Sequence, residues 1–149
     1  MKYLLALILS FPLFSSAQEC NLARETDPFT KEKKISSGFI QLDGGSVTID
    51  ATKTEIDFLF SIEGADRCYD NNSNAMIFFE GSKAKTNFKN GGTMNCEGLF
   101  HFIYKNSTNP VSLLTKLTTQ KVSHIVFTGN NKKEADIIFS PADQLAFMT

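Results

Sequence analysis

Residues 67–80 read RCYDNNSNAMIFFE, and Asp70, Asn72 and Asn74 occupy alternate positions within this stretch. Calcium loops place oxygen ligands at their first, third and fifth positions, a glycine at the sixth and a bidentate acid at the twelfth. Here the sixth position is alanine and the twelfth is glycine, so both the sharp turn and the main carboxylate are missing. The stretch therefore predicts a polar loop. Asp70, Asn72 and Asn74 remain as weak candidate metal ligands.

Two acceptor sequons for N-glycosylation overlap the polar stretches. Asn71 begins Asn-Asn-Ser, and Asn106 begins Asn-Ser-Thr. Asn71 and Asn106 are possible glycosylation sites only where the source organism glycosylates its exported proteins. The simpler interpretation is a pair of exposed polar loops.

Catalytic patterns are scarce in this sequence. His101 and His124 both lie within apolar strand patterns, and no G-x-S-x-G, C-x-x-C or H-E-x-x-H occurs. The sequence therefore predicts no catalytic residue, no cofactor and no zinc site. Carboxylate pairs of the glycosidase type meet in space, so spacing alone does not exclude them. Five acids are close in sequence, namely Asp50, Glu55, Asp57, Glu63 and Asp66. We interpret them as the polar face and turns of one strand.

The first 17 residues have the layout of a secretory signal peptide. Lys2 precedes an apolar run from Leu4 to Phe14, and Ser15 and Ala17 are small residues at −3 and −1 of a cut after Ala17. The run is shorter than the roughly 20 residues that span a bilayer. We therefore expect residues 1–17 to be removed and residues 18–149 to form a single β-rich domain, secreted or periplasmic, with no membrane span.

Export makes a disulfide the default state of cysteine pairs. The chain has three cysteines, Cys20, Cys68 and Cys96. Cys68 and Cys96 flank predicted strands, whereas Cys20 lies near the new terminus. We predict a Cys68–Cys96 disulfide, which leaves Cys20 free, paired with another chain, or awaiting a partner outside this sequence.

Charge and aromatic composition narrow the class of partner. Cleavage removes one of 15 basic residues and none of 16 acidic residues, which leaves a net charge of −2. Nucleic acid is therefore not an expected partner, since its binding requires a basic surface. Trp is absent and Phe numbers 14, so the aromatic residues suit a core or an apolar pocket better than a sugar site.

Turn signals divide the chain into about eight short strands. The predicted strands are KISSGFIQL, SVTID, EIDFLFSI, AMIFFE, KAKTNF, TMNCEGLFHFIY, KVSHIVF and EADIIFS. Asp43-Gly44 and Asn90-Gly91 predict hairpin turns, and Glu97-Gly98 predicts a bulge. EIDFLFSI alternates strictly, which predicts one buried face.

Two helices are predicted in the last third of the chain. One spans 110–118, with Val111, Leu114 and Leu117 on one face. The other begins at Pro141 after a Ser140 cap, with Asp143 completing a near capping box and Leu145, Phe147 and Met148 starting an apolar face. The fold class is thus α+β and predominantly antiparallel β, as a curved sheet or partly open barrel.

The stretch VSHIVFTGNNKKEADIIFSPADQLAFM resembles the C-terminal end of small secreted β-rich proteins of Bacteroidota-type bacteria. The likeness consists of a strand, a polar turn, a second strand holding Asp136, and a helix holding Phe147. The resemblance implies export and a β-rich fold, and it identifies no catalytic residue in this chain.

Together these features favour a non-catalytic secreted or periplasmic binding domain. Its expected partner is another protein or a small apolar ligand. The alternatives are a small hydrolase that uses scattered carboxylates, and an inhibitor or immunity-type protein that acts on an enzyme in the same compartment.

Overall fold

The computed structural model describes residues 22–106 and 112–148 as two antiparallel sheets with two short helices. The elements are β1 (Ala23–Thr26), β2 (Lys33–Leu42), β3 (Gly45–Ala51), β4 (Glu55–Ile62), β5 (Asn74–Phe79), β6 (Lys85–Lys89), β7 (Leu99–Lys105), α1 (Ser112–Thr119), β8 (Val122–Thr128), β9 (Glu134–Ile138) and α2 (Pro141–Met148). Sheet A has the order β1-β2-β3-β4-β7, and sheet B has the order β6-β5-β8-β9. The α+β, antiparallel prediction is confirmed. The predicted signal peptide and Cys20 lie outside the described residues.

The described strands number nine instead of the predicted eight, because β1 was missed. Its sequence, ARET, is short and has no alternation of apolar and polar residues, and all four of its residues are exposed. A strand of this kind gives no burial pattern from which it could be predicted. β1 pairs with residues 33–36 along the edge of β2 that lies opposite β3.

The core lies between the inner faces of the two sheets and is largely aromatic. Phe58, Phe60 and Ile62 of β4 are buried, as the alternation predicted. The Phe60 ring lies 4.9 Å from Phe102 and 5.3 Å from Phe127 of the opposite sheet, measured between centroids. Each such side chain contributes about 1.5–3 kcal/mol on burial. Much of the phenylalanine therefore fills this core.

The Asp43-Gly44 hairpin is confirmed, and it also closes one side of the sandwich. Gly44 has φ 93°, and a Cβ there would lie 2.4 Å from the Asp136 carbonyl oxygen. Asp43 forms an isolated bridge to Ile138 of β9. Glycine is therefore required both by the turn and by the close approach of sheet A to the edge of sheet B.

The predicted hairpin at Asn90-Gly91 is wrong. β6 belongs to sheet B and β7 to sheet A, so the chain crosses between the sheets at this point. The predicted bulge at Glu97-Gly98 is also wrong, because β7 begins only at Leu99 and Gly98, at φ 80°, belongs to the preceding loop. Local turn residues signal a change of direction but not which sheet the next strand joins.

The helix α1 matches the predicted span apart from its start, since 107–111 lie outside the described residues. Leu113 and Leu117 are its buried residues, and Leu114 packs partly against the core. The predicted face is therefore correct at Leu117 but centred on Leu113 instead of Leu114. No helix among the described residues is long and apolar enough to cross a membrane.

The capping box that precedes α2 is confirmed. The Asp143 N–H donates to Ser140 Oγ at 3.3 Å, and the Ser140 N–H donates to Asp143 Oδ2 at 2.9 Å. The predicted apolar face is only partly correct. Phe147 is buried, but the second buried residue is Gln144, and Leu145 is exposed.

Candidate functional site

The loop that precedes β5 is joined to the loop that precedes β7 of the other sheet. A Cys68–Cys96 disulfide joins cysteines 28 residues apart, as predicted. The adjacent Tyr69 is 1% exposed and forms an isolated bridge to Asn95. Asn130 of the turn between β8 and β9 donates its N–H to the Cys68 carbonyl at 3.1 Å. Three contacts therefore fix this loop, namely the disulfide, the bridge to Asn95 and the hydrogen bond from Asn130.

Asp70 uses its carboxylate within its own loop. Its Oδ1 accepts the Asn72 N–H at 2.8 Å, the Ser73 N–H at 3.0 Å and the Ser73 hydroxyl at 3.1 Å. These hydrogen bonds, led by that from Asn72, hold the pKa of Asp70 below its usual range. Asn74 already belongs to β5. The described residues include no group of three or more His, Cys, Asp or Glu that could hold a metal ion.

The two sequons differ in how accessible they are. Asn71 is exposed, but Ser73 of the same sequon is 2% exposed and engaged with Asp70. Asn106 is exposed, and its Nδ2 donates to the Lys53 carbonyl at 3.1 Å. The remainder of that second sequon lies outside the described residues.

Asn90 anchors the loop to β7. Its Oδ1 accepts the backbone N–H of His101 at 2.9 Å and that of Gly92 at 3.2 Å. Its Nδ2 donates to the Asp70 carbonyl at 3.1 Å. Because Asn90 is only 5% exposed, water replaces these bonds poorly. Within RCYDNNSNAMIFFE, Asp70 and Ser73 thus contribute to the scaffold, through their own bonds and the bond from Asn90.

Two of the five predicted acids meet on the outer face of sheet A. Asp50 of β3 stands directly opposite Asp57 of β4. His101 Nδ1 lies 2.7 Å from Asp57 Oδ2, and Lys34 Nζ lies 3.2 Å from Asp50 Oδ2. The remaining acids, Glu55, Glu63 and Asp66, do not join this cluster.

Each carboxylate of this pair has its own basic partner. The hydrogen bond to Asp57 raises the pKa of His101, which is half-buried. Asp50 likewise raises the pKa of Lys34. Glycosidases instead keep one carboxyl protonated beside an ionised one. The arrangement is that of an ion-pair cluster that offsets repulsion between two opposed acids.

His124 is placed as a packing residue. Its ring stacks on Phe78 with centroids 4.2 Å apart and planes 9° apart. Ser123 Oγ donates to the Phe78 carbonyl at 3.1 Å and lies 3.0 Å from His124 Nδ1. The Ser123 hydroxyl thus links the His124 ring to the backbone of β5.

The β1–β2 arm, residues 23–36, carries the most exposed aromatic side chain of the described residues. β1 pairs only with β2, and the loop 27–32 joins them at the tip. Phe29 lies in this loop and is 92% exposed. Among the described residues, the one phenylalanine of similar exposure is Phe39, 86% exposed, which lies on β2 beyond the arm.

The tip loop is rigidly closed by hydrogen bonds. Asp27 Oδ1 accepts the N–H groups of Phe29 at 2.7 Å and Thr30 at 2.8 Å. These bonds, led by that from Thr30, lower the pKa of Asp27. The Asp27 N–H donates to the Glu32 carbonyl and the Lys31 N–H donates to the Asp27 carbonyl, both at 2.9 Å. These bonds define the backbone conformation of the loop that carries Phe29.

Two surface pockets among the described residues are lined mainly by polar and charged residues. One, of about 360 Å³, lies along the arm and is lined by Glu25, Thr26, Asp27, Pro28, Glu32, Lys34 and Thr52. The other, of about 530 Å³, is lined by Glu80, Gly81, Ser82, Gln120 and Lys121. Neither lining includes an aromatic side chain or a large aliphatic one, the residue types that predominate in small-molecule sites.

Sequence reasoning missed the arm as a site. The available signal was Asp27-Pro28, a dipeptide that favours a turn, followed at once by an aromatic residue.

No described protein family, no curated protein and no solved structure matches this chain.

Proposed function

We propose that this chain is an exported, non-catalytic binding domain that recognises a partner protein through the tip of its β1–β2 arm. The observation that carries the proposal is Phe29, a large apolar side chain that is 92% exposed on a hydrogen-bonded loop. The predicted signal peptide and the disulfide support an exported location.

The energetics favour a recognition role for this loop. Transfer of the Phe29 ring into a partner's pocket contributes about 1.5–3 kcal/mol. The loop is already ordered by Asp27, so little conformational entropy is lost on binding. Rigid aromatic anchors of this kind dominate the energy of protein interfaces. A projecting arm with an apical aromatic ring fits a concave, apolar site on the partner.

Partner recognition accounts for the structure better than the other functions considered. A small apolar ligand is less favoured, because the two pockets found among the described residues are lined mainly by polar and charged side chains. A glycosidase-type hydrolase keeps one carboxyl protonated beside an ionised one, whereas Asp50 and Asp57 each have a basic partner, Lys34 or His101. An inhibitor of an enzyme in the same compartment is one form of the proposal, since enzyme clefts are concave.

The test compares three tagged baits, the unmodified protein, Phe29→Ala and Phe39→Ala, in extracts of the native compartment. Phe39→Ala is a matched control because it removes an equally exposed ring from outside the arm. The proposal predicts a stoichiometric partner that the unmodified and Phe39→Ala proteins retain and Phe29→Ala loses. Equal retention by all three baits would contradict it.

A further inference from the structure

We propose that the outer face of sheet B binds a second copy of this chain in a two-fold dimer. This surface is remote in sequence from the arm, so the inference does not depend on the function proposed above. Each of the four strands turns about three side chains outward, because successive residues of a strand alternate between faces.

The centre of this face is apolar. Phe78 and His124 form the stacked pair, and Met76 and Val126 stand opposite each other on the same two central strands. Ile138, 52% exposed, continues the apolar surface onto β9. The inner faces of the same strands already supply the core, so these side chains form a second, separate apolar surface.

The charges on this face are sorted by edge. Lys85 and Lys89 lie exposed on β6, at one edge of the sheet, and Glu134 and Asp136 lie exposed on β9, at the other. A face that is basic at one edge and acidic at the other is complementary to its own copy. This distribution of charge favours a second copy of the chain as the molecule that binds this face.

Only one of the two in-plane symmetry axes uses that complementarity. A two-fold axis parallel to the strands, between β5 and β8, places the basic edge of each copy over the acidic edge of the other. An axis perpendicular to the strands places like charges together. The parallel axis creates each charge contact twice, as an isologous interface requires.

The strand register lets the side chains of the two copies be matched. Lys89, Asn74, Thr128 and Glu134 form one row across the sheet, so Lys89 lies over Glu134 of the other copy. The central rows place Phe78 over His124 and Met76 over Val126 in the same way. Sheets packed face to face lie about 10 Å apart and within about 30° of parallel, which keeps these pairs within reach.

The size of the face places the contact among small interfaces. A standard interface buries about 800 Å² per partner with 20–30 residues. About a dozen outward residues therefore bury roughly 400 Å² per copy, which is the class of weak and transient contacts. The expected dissociation constant is on the order of 0.1 mM.

The experiment measures self-association of the disulfide-bonded protein by sedimentation velocity between about 10 μM and 1 mM. The basic-edge variant is Lys85→Glu/Lys89→Glu, and the acidic-edge variant is Glu134→Lys/Asp136→Lys. Each alone should self-associate at least tenfold more weakly, because every reversed charge acts at both symmetric contacts. An equimolar mixture should associate as tightly as the unmodified protein. Lys53→Glu, an exposed reversal outside this face, is the matched control and should change nothing.

The unmodified protein provides a second measurement that needs no variant. Concentration-dependent NMR shifts should appear at the methyl groups of Met76 and Val126 and not at Met94, which is exposed elsewhere. A monomer up to 1 mM overturns the proposal. A dimer whose dissociation constant the charge reversals leave unchanged also overturns it. So does a mixture of the two variants that associates no more tightly than either variant alone. Either result places the contact on another surface or with another partner.

Discussion

Replacing Asn90 by alanine should destabilise the protein more than any other single polar substitution in the loop region. The Asn90 side chain makes three hydrogen bonds at a position that is 5% exposed. The substitution leaves the His101 N–H without an acceptor and removes the bonds to Gly92 and to the Asp70 carbonyl, which keeps the Ser73 N–H at 3.1 Å. An unsatisfied buried group costs about 1–3 kcal/mol and each other lost hydrogen bond about 0.5–1.5 kcal/mol, so the expected loss in free energy of unfolding is about 3 kcal/mol.

Urea denaturation under oxidising conditions measures this loss. With a denaturant dependence of about 1.5 kcal/mol per molar, the midpoint should fall by about 2 M. Asn71→Ala, at an exposed asparagine of the adjacent loop, is the control and should stay within about 0.5 kcal/mol of the unmodified protein. A loss below 1 kcal/mol for Asn90→Ala would refute the view that this side chain anchors the crossing between the sheets.

Three further substitutions test other parts of the scaffold. Replacing Cys68 and Cys96 together by serine should lower the free energy of unfolding by roughly 3–4 kcal/mol, from closure of a loop of 28 residues, and urea denaturation checks it. Asp57→Asn removes the interaction that raises the pKa of His101. The stability lost should therefore be greatest below about pH 6.5 and shrink as the pH rises through the folded-state pKa, whereas a pH-independent difference between pH 5.5 and 9 would contradict this. Tyr104→Phe should raise the midpoint of thermal unfolding by a few degrees, because the buried hydroxyl has no hydrogen-bond partner among the described residues; a fall of similar size would reveal one.

Patterns of a few adjacent residues correctly predicted a strand, a hairpin and the start of a helix. The alternation of EIDFLFSI located β4, Asp43-Gly44 located a hairpin, and Ser140 with Asp143 located the start of α2. In each case a few adjacent residues determine the backbone geometry and the burial that follow from it. The Cys68–Cys96 pairing could also be predicted, because elimination of the terminal cysteine leaves a single choice.

Features that depend on register were not predictable. His101 and Asp57 are 44 residues apart and meet only because β7 pairs with β4. The Asn90-Gly91 turn signal was real, but the sheet that β7 joins is decided by where its phenylalanines are buried. Phe29 is a candidate anchor because its side chain is exposed. That exposure follows from the position of the arm, and the residue type alone does not predict it.

The most direct test of the central claim is photo-crosslinking from the tip of the arm. A photoreactive phenylalanine analogue at position 29, and in a second protein at position 39, would be activated in the native compartment. Recognition through the arm predicts one discrete crosslinked protein from position 29 and none from position 39. No crosslink from position 29, or the same product from both positions, would contradict it.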